Sequence, residues 1–282
     1  MELDFHMAIG EAEANYANNS RLQRKALIKT KPVLEKVMRQ VYMALLPPTM
    51  VVADLGCSVG INTLLFVSKV TSTVADAQCH NELGCHIMEL QFFLNDLPRN
   101  DFNQVFQSLQ QFTKSIAAGH PKGVALPPFY ISGLPGSYYN RLFPCQSVHL
   151  FHSSYCLHWQ SQGIVEKGKL ESFNLPIYGP SIDEVKTVIT RNKLFCIDHI
   201  ELFESNWDPY DDLEHDGMHI SPHRGMNVAK CIRAVSEPLL ASHFGEYILD
   251  KLFQRFAQIV ERHLAKENVK YSVIVLSLNR RD

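Results

Sequence analysis

The chain has 282 residues, 46% of them hydrophobic and 20% charged, with a formal net charge of -2. That is enough chain for one large α/β domain or two modest ones, and the near-neutral balance gives no ground for nucleic-acid or membrane partners. Seven cysteines without a Cys-x-x-Cys pair read as reduced thiols of a cytoplasmic protein rather than a disulfide framework.

In chain order, Met1-Glu-Leu-Asp-Phe-His6 has neither the charge nor the apolar run of a secretory leader. Asn15-Tyr-Ala-Asn-Asn-Ser20 ends a polar arm, with Asn19 or Ser20 as the expected helix cap. Leu22, Ala26, Leu27, Leu34, Met38, Val41 and Leu45 then recur at helical spacing, with a bend expected at Pro32 and a stop before Pro47-Pro48. A strand is predicted over 50–55 and a helix over 64–74, with Asp54, Gly56 and Gly60 around the turn between them. A carboxylate at a strand end, glycines, then a helix N-terminus is how an α/β sheet presents a nucleotide-like ligand at its carboxyl edge. The glycine spacing is not the dinucleotide Gly-x-Gly-x-x-Gly; Asp54-x-Gly56-x-x-x-Gly60 resembles the turn with which methyltransferases hold S-adenosylmethionine.

A second strand over 86–94 runs into Asn95-Asp-Leu-Pro98. Ribose hydroxyls are commonly bound by an acidic residue closing the strand after a first βα unit, which makes Asp96 the candidate. A helix over 103–118, a strand over 127–133, a turn at Pro135-Gly136 and a strand over 147–153 follow. That strand ends in Ser153-Ser-Tyr-Cys-Leu-His-Trp159, polar groups and large aromatics gathered where a small aromatic ligand with one polar head would fit. Beyond it come a short helix over 166–172, a helix over 182–190 opened by a Ser181/Glu184 capping box, and a strand over 194–203. The acidic, histidine-rich stretch 204–224 reads as solvated charge, because its spacing fits no zinc or calcium pattern. Two or more helices within 227–264 and a strand over 271–278 complete the chain.

Several of these stretches share one resemblance. Tyr16-Ala-x-Asn-Ser20-x-x-Gln23, Ala53-Asp-Leu-Gly-Cys-Ser58, Leu94-Asn-Asp-Leu-Pro98 with Asn100-Asp-Phe-Asn103, and Pro135-Gly-Ser-Tyr-Tyr139 with Arg141-Leu-Phe-Pro144 match in order. So do His152-Ser-Ser-Tyr155, Leu157-His-Trp159, Glu171-Ser-Phe-Asn174, Asn206-Trp-Asp208 and Ile232-Arg-Ala-x-x-Glu-Pro238. The chain thereby resembles the plant SABATH carboxyl methyltransferases of secondary metabolism, and most of all the members that methylate benzoic, salicylic or anthranilic acid with S-adenosyl-L-methionine.

The resemblance implies a Rossmann-like class I methyltransferase of the α/β class: a mainly parallel twisted sheet, helices on both faces and a helical lid. Residues 1–162 would be the cofactor-binding part with an N-terminal substrate arm, and 163–282 a shortened lid with the C-terminal strands of the same domain. By the same resemblance Ser20, Asp54, Gly56, Cys57, Asn62, Asp96, Leu97, Ser137 and Tyr138 line the cofactor site. Gln23 and Trp159 hold the substrate carboxylate, while Tyr16, Tyr155 and His158 shape its pocket. No general base is implied, since a carboxylate is already nucleophilic and positioning can do the catalysis.

Two departures qualify it. Met7-Ala-Ile-Gly10 stands where the family has Met-x-Gly-Gly, often with a lysine. After Gln162 the chain passes directly to Gly163-Ile-Val-Glu166, omitting a stretch that holds one strand of the family's sheet. A magnesium site at Glu171, Phe173 and Asn174, known in some members, would lose one ligand with that stretch, and Glu171 replaces the usual aspartate; both argue against the metal. Full-length relatives are often dimers, so a homodimer is implied. The alternative is a non-catalytic homologue that binds cofactor or pairs with a full-length relative. A dinucleotide oxidoreductase fits least, because of the glycine spacing.

Overall fold

The computed structural model describes Met7, 15–79, 88–119, 126–156, Phe173, 177–210 and 223–281. It divides into two compact units, Leu27–Leu157 and Met1–Ala26 with His158–Asp282.

The Leu27–Leu157 unit is built on four parallel strands: β1 (Thr49–Leu55), β2 (Glu89–Asp96), β3 (Phe129–Pro135) and β4 (Leu150–Ser153), in the order β3-β2-β1-β4. Parallel neighbours need crossovers, and helices α4 (Ile61–Cys79) and α5 (Phe102–Gly119) supply the first two. Leu90, Phe92 and Leu94 alternate along β2 and are fully buried, joining Met50 and Val52 of β1 and Phe66, Val67, Val70 and Val74 of α4 in one core. Helix α3 (Lys31–Leu45) adds Met38 and Tyr42. The expected bend at Pro32 is instead a break at Thr30 after α2 (Arg21–Lys29); Pro32 lies in the first turn of α3, where a missing N–H costs nothing.

Strand positions shift slightly from expectation. β2 and β3 each extend two residues further, which places Asp96 and Pro135 as paired strand-end residues. β4 begins three residues late. His149 explains this: its backbone N–H donates to Val51 O at 2.9 Å, and its ring Nδ1 accepts from Val51 N at 2.9 Å, so a side chain takes the place of a ladder carbonyl. Among the described residues β1 is the one strand paired with β4, and Phe151 on it is 53% exposed.

The other unit carries a four-residue helix α1 (Tyr16–Asn19), followed by the start of α2. Asn15 caps the short α1, its Oδ1 accepting from Asn18 N at 2.8 Å. Ser20, one of the two expected caps, directly precedes α2, and its carbonyl accepts from Arg24 N at 3.1 Å. In this unit lie α6 (Ile182–Asn192), α7 (Arg224–Phe244) and α8 (Leu249–Leu264), the last two joined through a 3-10 turn at Glu246–Ile248. The Ser181/Glu184 capping box is formed. Strands β5 (Phe195–Asn206) and β6 (Lys270–Arg280) make a separate antiparallel ladder with a bulge at Ile197/His199. The described strands thus form two sheets, four-stranded and two-stranded, where the family's arrangement predicts one. Helices α7 and α8 approach closely at Gly225, where an added Cβ would sit 2.2 Å from Ala257 O.

Two of the quoted motifs are structural here. Asp208, nearly fully buried, accepts from Tyr210 N at 3.0 Å and Asn227 Nδ2 at 3.1 Å, and Trp207 stacks on Tyr271 at 5.6 Å. Arg233 pairs with Glu237 one turn on and reaches Asp250 at 2.8 Å over the Phe253 ring. Among the described residues no helix is long and apolar enough to cross a membrane.

Candidate active site

The site residues of the Leu27–Leu157 unit gather at the carboxyl end of the four-stranded sheet. Gly56 takes φ +73°, Ser58 +53° and Gly60 +95°, so the chain turns sharply between β1 and α4. Gly56 is required on two counts: a left-handed backbone, and Cys156 Cβ and Sγ only 2.7 Å from where its own Cβ would stand. Asn95, fully buried, ties this turn down. Its carbonyl accepts from Gly56 N and Cys57 N at 2.9 Å, and its side-chain amide donates to Leu134 O and Gly136 O at 2.8 Å.

Asp96 closes β2, as expected from the sequence. Its Oδ2 accepts from Ser58 N at 2.6 Å and its Oδ1 from Leu97 N at 2.7 Å. The carboxylate therefore clamps the glycine turn as well as facing the sheet edge. Asn100 adds a bond from its amide to Ser58 O at 3.1 Å. Ser58 Oγ is buried with no hydrogen-bond partner among the described residues. This donor and acceptor set suits a ribose with adjacent hydroxyls.

Asp54 is only 5% exposed. Thr63 Oγ1 donates to its Oδ2 at 2.9 Å, and His152 Nδ1 meets its Oδ1 at 2.7 Å. Asn62 lies in the first turn of α4 beside Thr63. Ser137 and Tyr138 follow β3 directly. The Tyr138 hydroxyl donates to Cys156 O at 2.9 Å, and burial pushes its pKa well up. Burial, and next the Asp96 and Asp54 carboxylates, push the Cys57 thiol well up. The Cys156 thiol rises to about 11, chiefly by burial. Neither thiol is a nucleophile at neutral pH.

Tyr16, Ser20 and Gln23 belong to the other unit. All three are buried, and Gln23 Oε1 has no hydrogen-bond partner among the described residues. Tyr155 holds φ +58° at the end of β4. His158, Trp159, Glu171 and Asn174 lie outside the described residues; Phe173 packs its ring on His243 and Phe244, 5.2 and 4.9 Å away. Among the described residues no three His, Cys, Asp or Glu side chains could hold a metal ion. A cavity of about 220 Å³ in this unit, bounded by Asn18, Arg21, Tyr210 and Lys230, includes none of the expected site residues.

The sequence reading missed Thr63, Asn95, Asn100 and His152. Three of them lie in or beside quoted motifs, but only their hydrogen bonds reveal what they do.

With this geometry in hand, the comparisons decide the family. The description "SAM dependent carboxyl methyltransferase" matches residues 2–162 and 160–281, nearly the whole chain. The chain belongs to this family. Its cofactor is S-adenosylmethionine and its chemistry is carboxyl methylation. The two matched stretches meet where Gln162 runs into Gly163, the point at which the family's internal stretch is missing. Among curated relatives, "Anthranilate O-methyltransferase 2" of Zea mays is 43% identical over 369 aligned positions, covering 99% of this chain and 98% of the relative. "Inactive anthranilate O-methyltransferase 1" of Zea mays is also 43% identical, over 374 positions with the same coverage. Both alignments exceed the 282 residues present, so the relatives carry residues that this chain lacks. The solved "Loganic acid methyltransferase with SAH" shares the fold, with a TM-score of 0.77 over 98% of this chain and 99% of that one at 22% identity. The carboxyl methyltransferase reading and its Rossmann-like α/β architecture thus stand.

Proposed function

We propose that this carboxyl methyltransferase acts on a small aromatic acid of the anthranilate, salicylate or benzoate type, giving its methyl ester. The observation that carries the cofactor side of the reading is the clamp at the sheet edge, Asp96 gripping Ser58 N and Leu97 N beside the buried Ser58 Oγ, which has no partner among the described residues; the acid class follows the names of the relatives. When bound, S-adenosylmethionine supplies a methyl group on a sulfonium, which a carboxylate accepts without loss of a proton. In this reading Asp96 accepts the ribose hydroxyls, and Asp54, Gly56, Cys57, Asn62, Leu97, Ser137 and Tyr138 complete the cofactor site with Ser20. Gln23 donates its amide N–H to the substrate carboxylate together with the Trp159 indole, while Tyr16, Tyr155 and His158 set the pocket shape. The buried Gln23, whose Oε1 has no partner among the described residues, supports a polar ligand there.

We read residues 1–162 as the cofactor-binding part with its substrate arm and 163–282 as a shortened lid with the last strands. The chain works as a cytoplasmic homodimer in this account, and no magnesium is required. Incubation with methyl-labelled S-adenosylmethionine and each acid tests the reading by extraction of the labelled ester. Asp96→Ala should abolish transfer by loss of cofactor affinity, whereas Gln23→Ala should raise the KM for the acid with the cofactor KM unchanged. No ester from any acid, with the cofactor bound, would leave the non-catalytic homologue as the function.

A further inference from the structure

We propose that His152 is a positioning residue of the cofactor site, holding the Asp54 carboxylate in place and setting cofactor affinity through it. The inference rests on the reading that S-adenosylmethionine binds at the carboxyl edge of β1 and β2. Asp54 and His152 are direct partners in the β1–β4 register, so their side chains share one face of the sheet. Nδ1 lies 2.7 Å from Oδ1, the length of a charge-assisted bond. An ionised carboxylate only accepts, so Nδ1 carries the proton.

The ring is held from a second direction. It stacks on Phe66 with centroids 4.1 Å apart and planes 14° from parallel. The stack fixes the ring plane and the bond fixes which edge faces Asp54. Thr63, in the first turn of α4, holds the other carboxylate oxygen at 2.9 Å. Groups from β4 and α4 thus leave Asp54 one orientation at the mouth of the glycine turn. His152 is no general base here, since methylation of a carboxylate removes no proton and its Nδ1 is committed. A histidine that merely packs would move stability; one that positions Asp54 moves ligand affinity.

Three variants of the full chain separate these roles. His152→Phe keeps a ring over Phe66 and removes the donor. His152→Asn returns an N–H near the position of Nδ1, and His152→Gln carries its amide to the far end of the ring. Calorimetric titration with S-adenosylhomocysteine, beside the ligand-free thermal midpoint, is the readout. His152→Phe and His152→Gln should weaken binding about tenfold, the order expected for a hydrogen bond to a charged group, and His152→Asn should bind nearly as the parent. In an Asp54→Asn background His152→Phe should add no further loss. Parent-like affinity in both His152→Phe and His152→Gln overturns the proposal, as does a full tenfold loss in the Asp54→Asn background. Should His152→Phe fail to fold, the Asn and Gln pair decides alone. A parent chain that does not bind S-adenosylhomocysteine overturns the cofactor reading and the role of His152 together.

Discussion

Gly56 gives the sharpest energetic test of the cofactor turn. Replacing it with alanine incurs two separate costs. A Cβ at φ +73° lies in the left-handed region, worth about 1–2 kcal/mol. The same Cβ would stand 2.7 Å from Cys156 Cβ and Sγ, an overlap that must push β1 and the end of β4 apart at about 1–3 kcal/mol. Gly56→Ala should therefore lose about 2–5 kcal/mol, a large part of the roughly 5–15 kcal/mol that holds a domain folded. Only the second cost involves Cys156. A cycle of Gly56→Ala, Cys156→Gly and the double variant, followed by urea unfolding of the ligand-free chain, isolates it. The double variant should be more stable than the sum of the two singles by about 1–3 kcal/mol, since Cys156→Gly removes both offending atoms. Additivity within about 0.5 kcal/mol would refute the close approach of turn and strand end.

Other expectations follow from the same geometry. Gly225→Ala forces a Cβ to 2.2 Å from Ala257 O and 2.8 Å from Glu261 N, so α7 and α8 must separate; about 1–3 kcal/mol should be lost, and the thermal midpoint should fall by several degrees. An unchanged midpoint would contradict that packing. Glu184, bonded by the Tyr178 hydroxyl and by Ser181, has its carboxyl pKa lowered to about 2. A depressed folded-state pKa means its contribution is present above the ordinary glutamate value and is lost as the pH falls from there towards 2. Carboxyl NMR should place its titration near the lower figure in the parent and return it towards the ordinary range in Tyr178→Phe. A parent midpoint near the ordinary value would contradict the bonds that Tyr178 and Ser181 make to this carboxylate.

How far the sequence reached depended on the distance over which each feature acts. Asp54, Gly56, Gly60 and Asp96 were legible because a strand end, a glycine turn and a helix start leave a local signature. The Ser181/Glu184 box was legible for the same reason, being complete within four residues. His149 was not: its ring Nδ1 takes the place of a strand carbonyl in accepting from Val51 N, a partner 98 residues away, so the strand expected over 147–153 is longer than β4. The bonds of His152 to Asp54 and of Asn95 to Leu134 and Gly136 are equally non-local. Motifs also mislead by density. Asn206-Trp-Asp208 and Ile232-Arg-Ala-x-x-Glu-Pro238 marked the family as strongly as the cofactor turn did, yet here they fasten the α7–α8 unit through Asp208, Asn227, Arg233 and Asp250. The described strands fall into a four-stranded and a two-stranded sheet, whereas pattern reading locates the stretch omitted after Gln162 without giving how the remaining strands pair.

The central claim is that the cofactor site survives the loss of that stretch. Calorimetric titration of the purified full chain with S-adenosylhomocysteine tests it without any choice of acid. One-site saturable binding, abolished by Asp96→Ala, is the predicted result. A cooperatively folded chain that takes up no S-adenosylhomocysteine would contradict it.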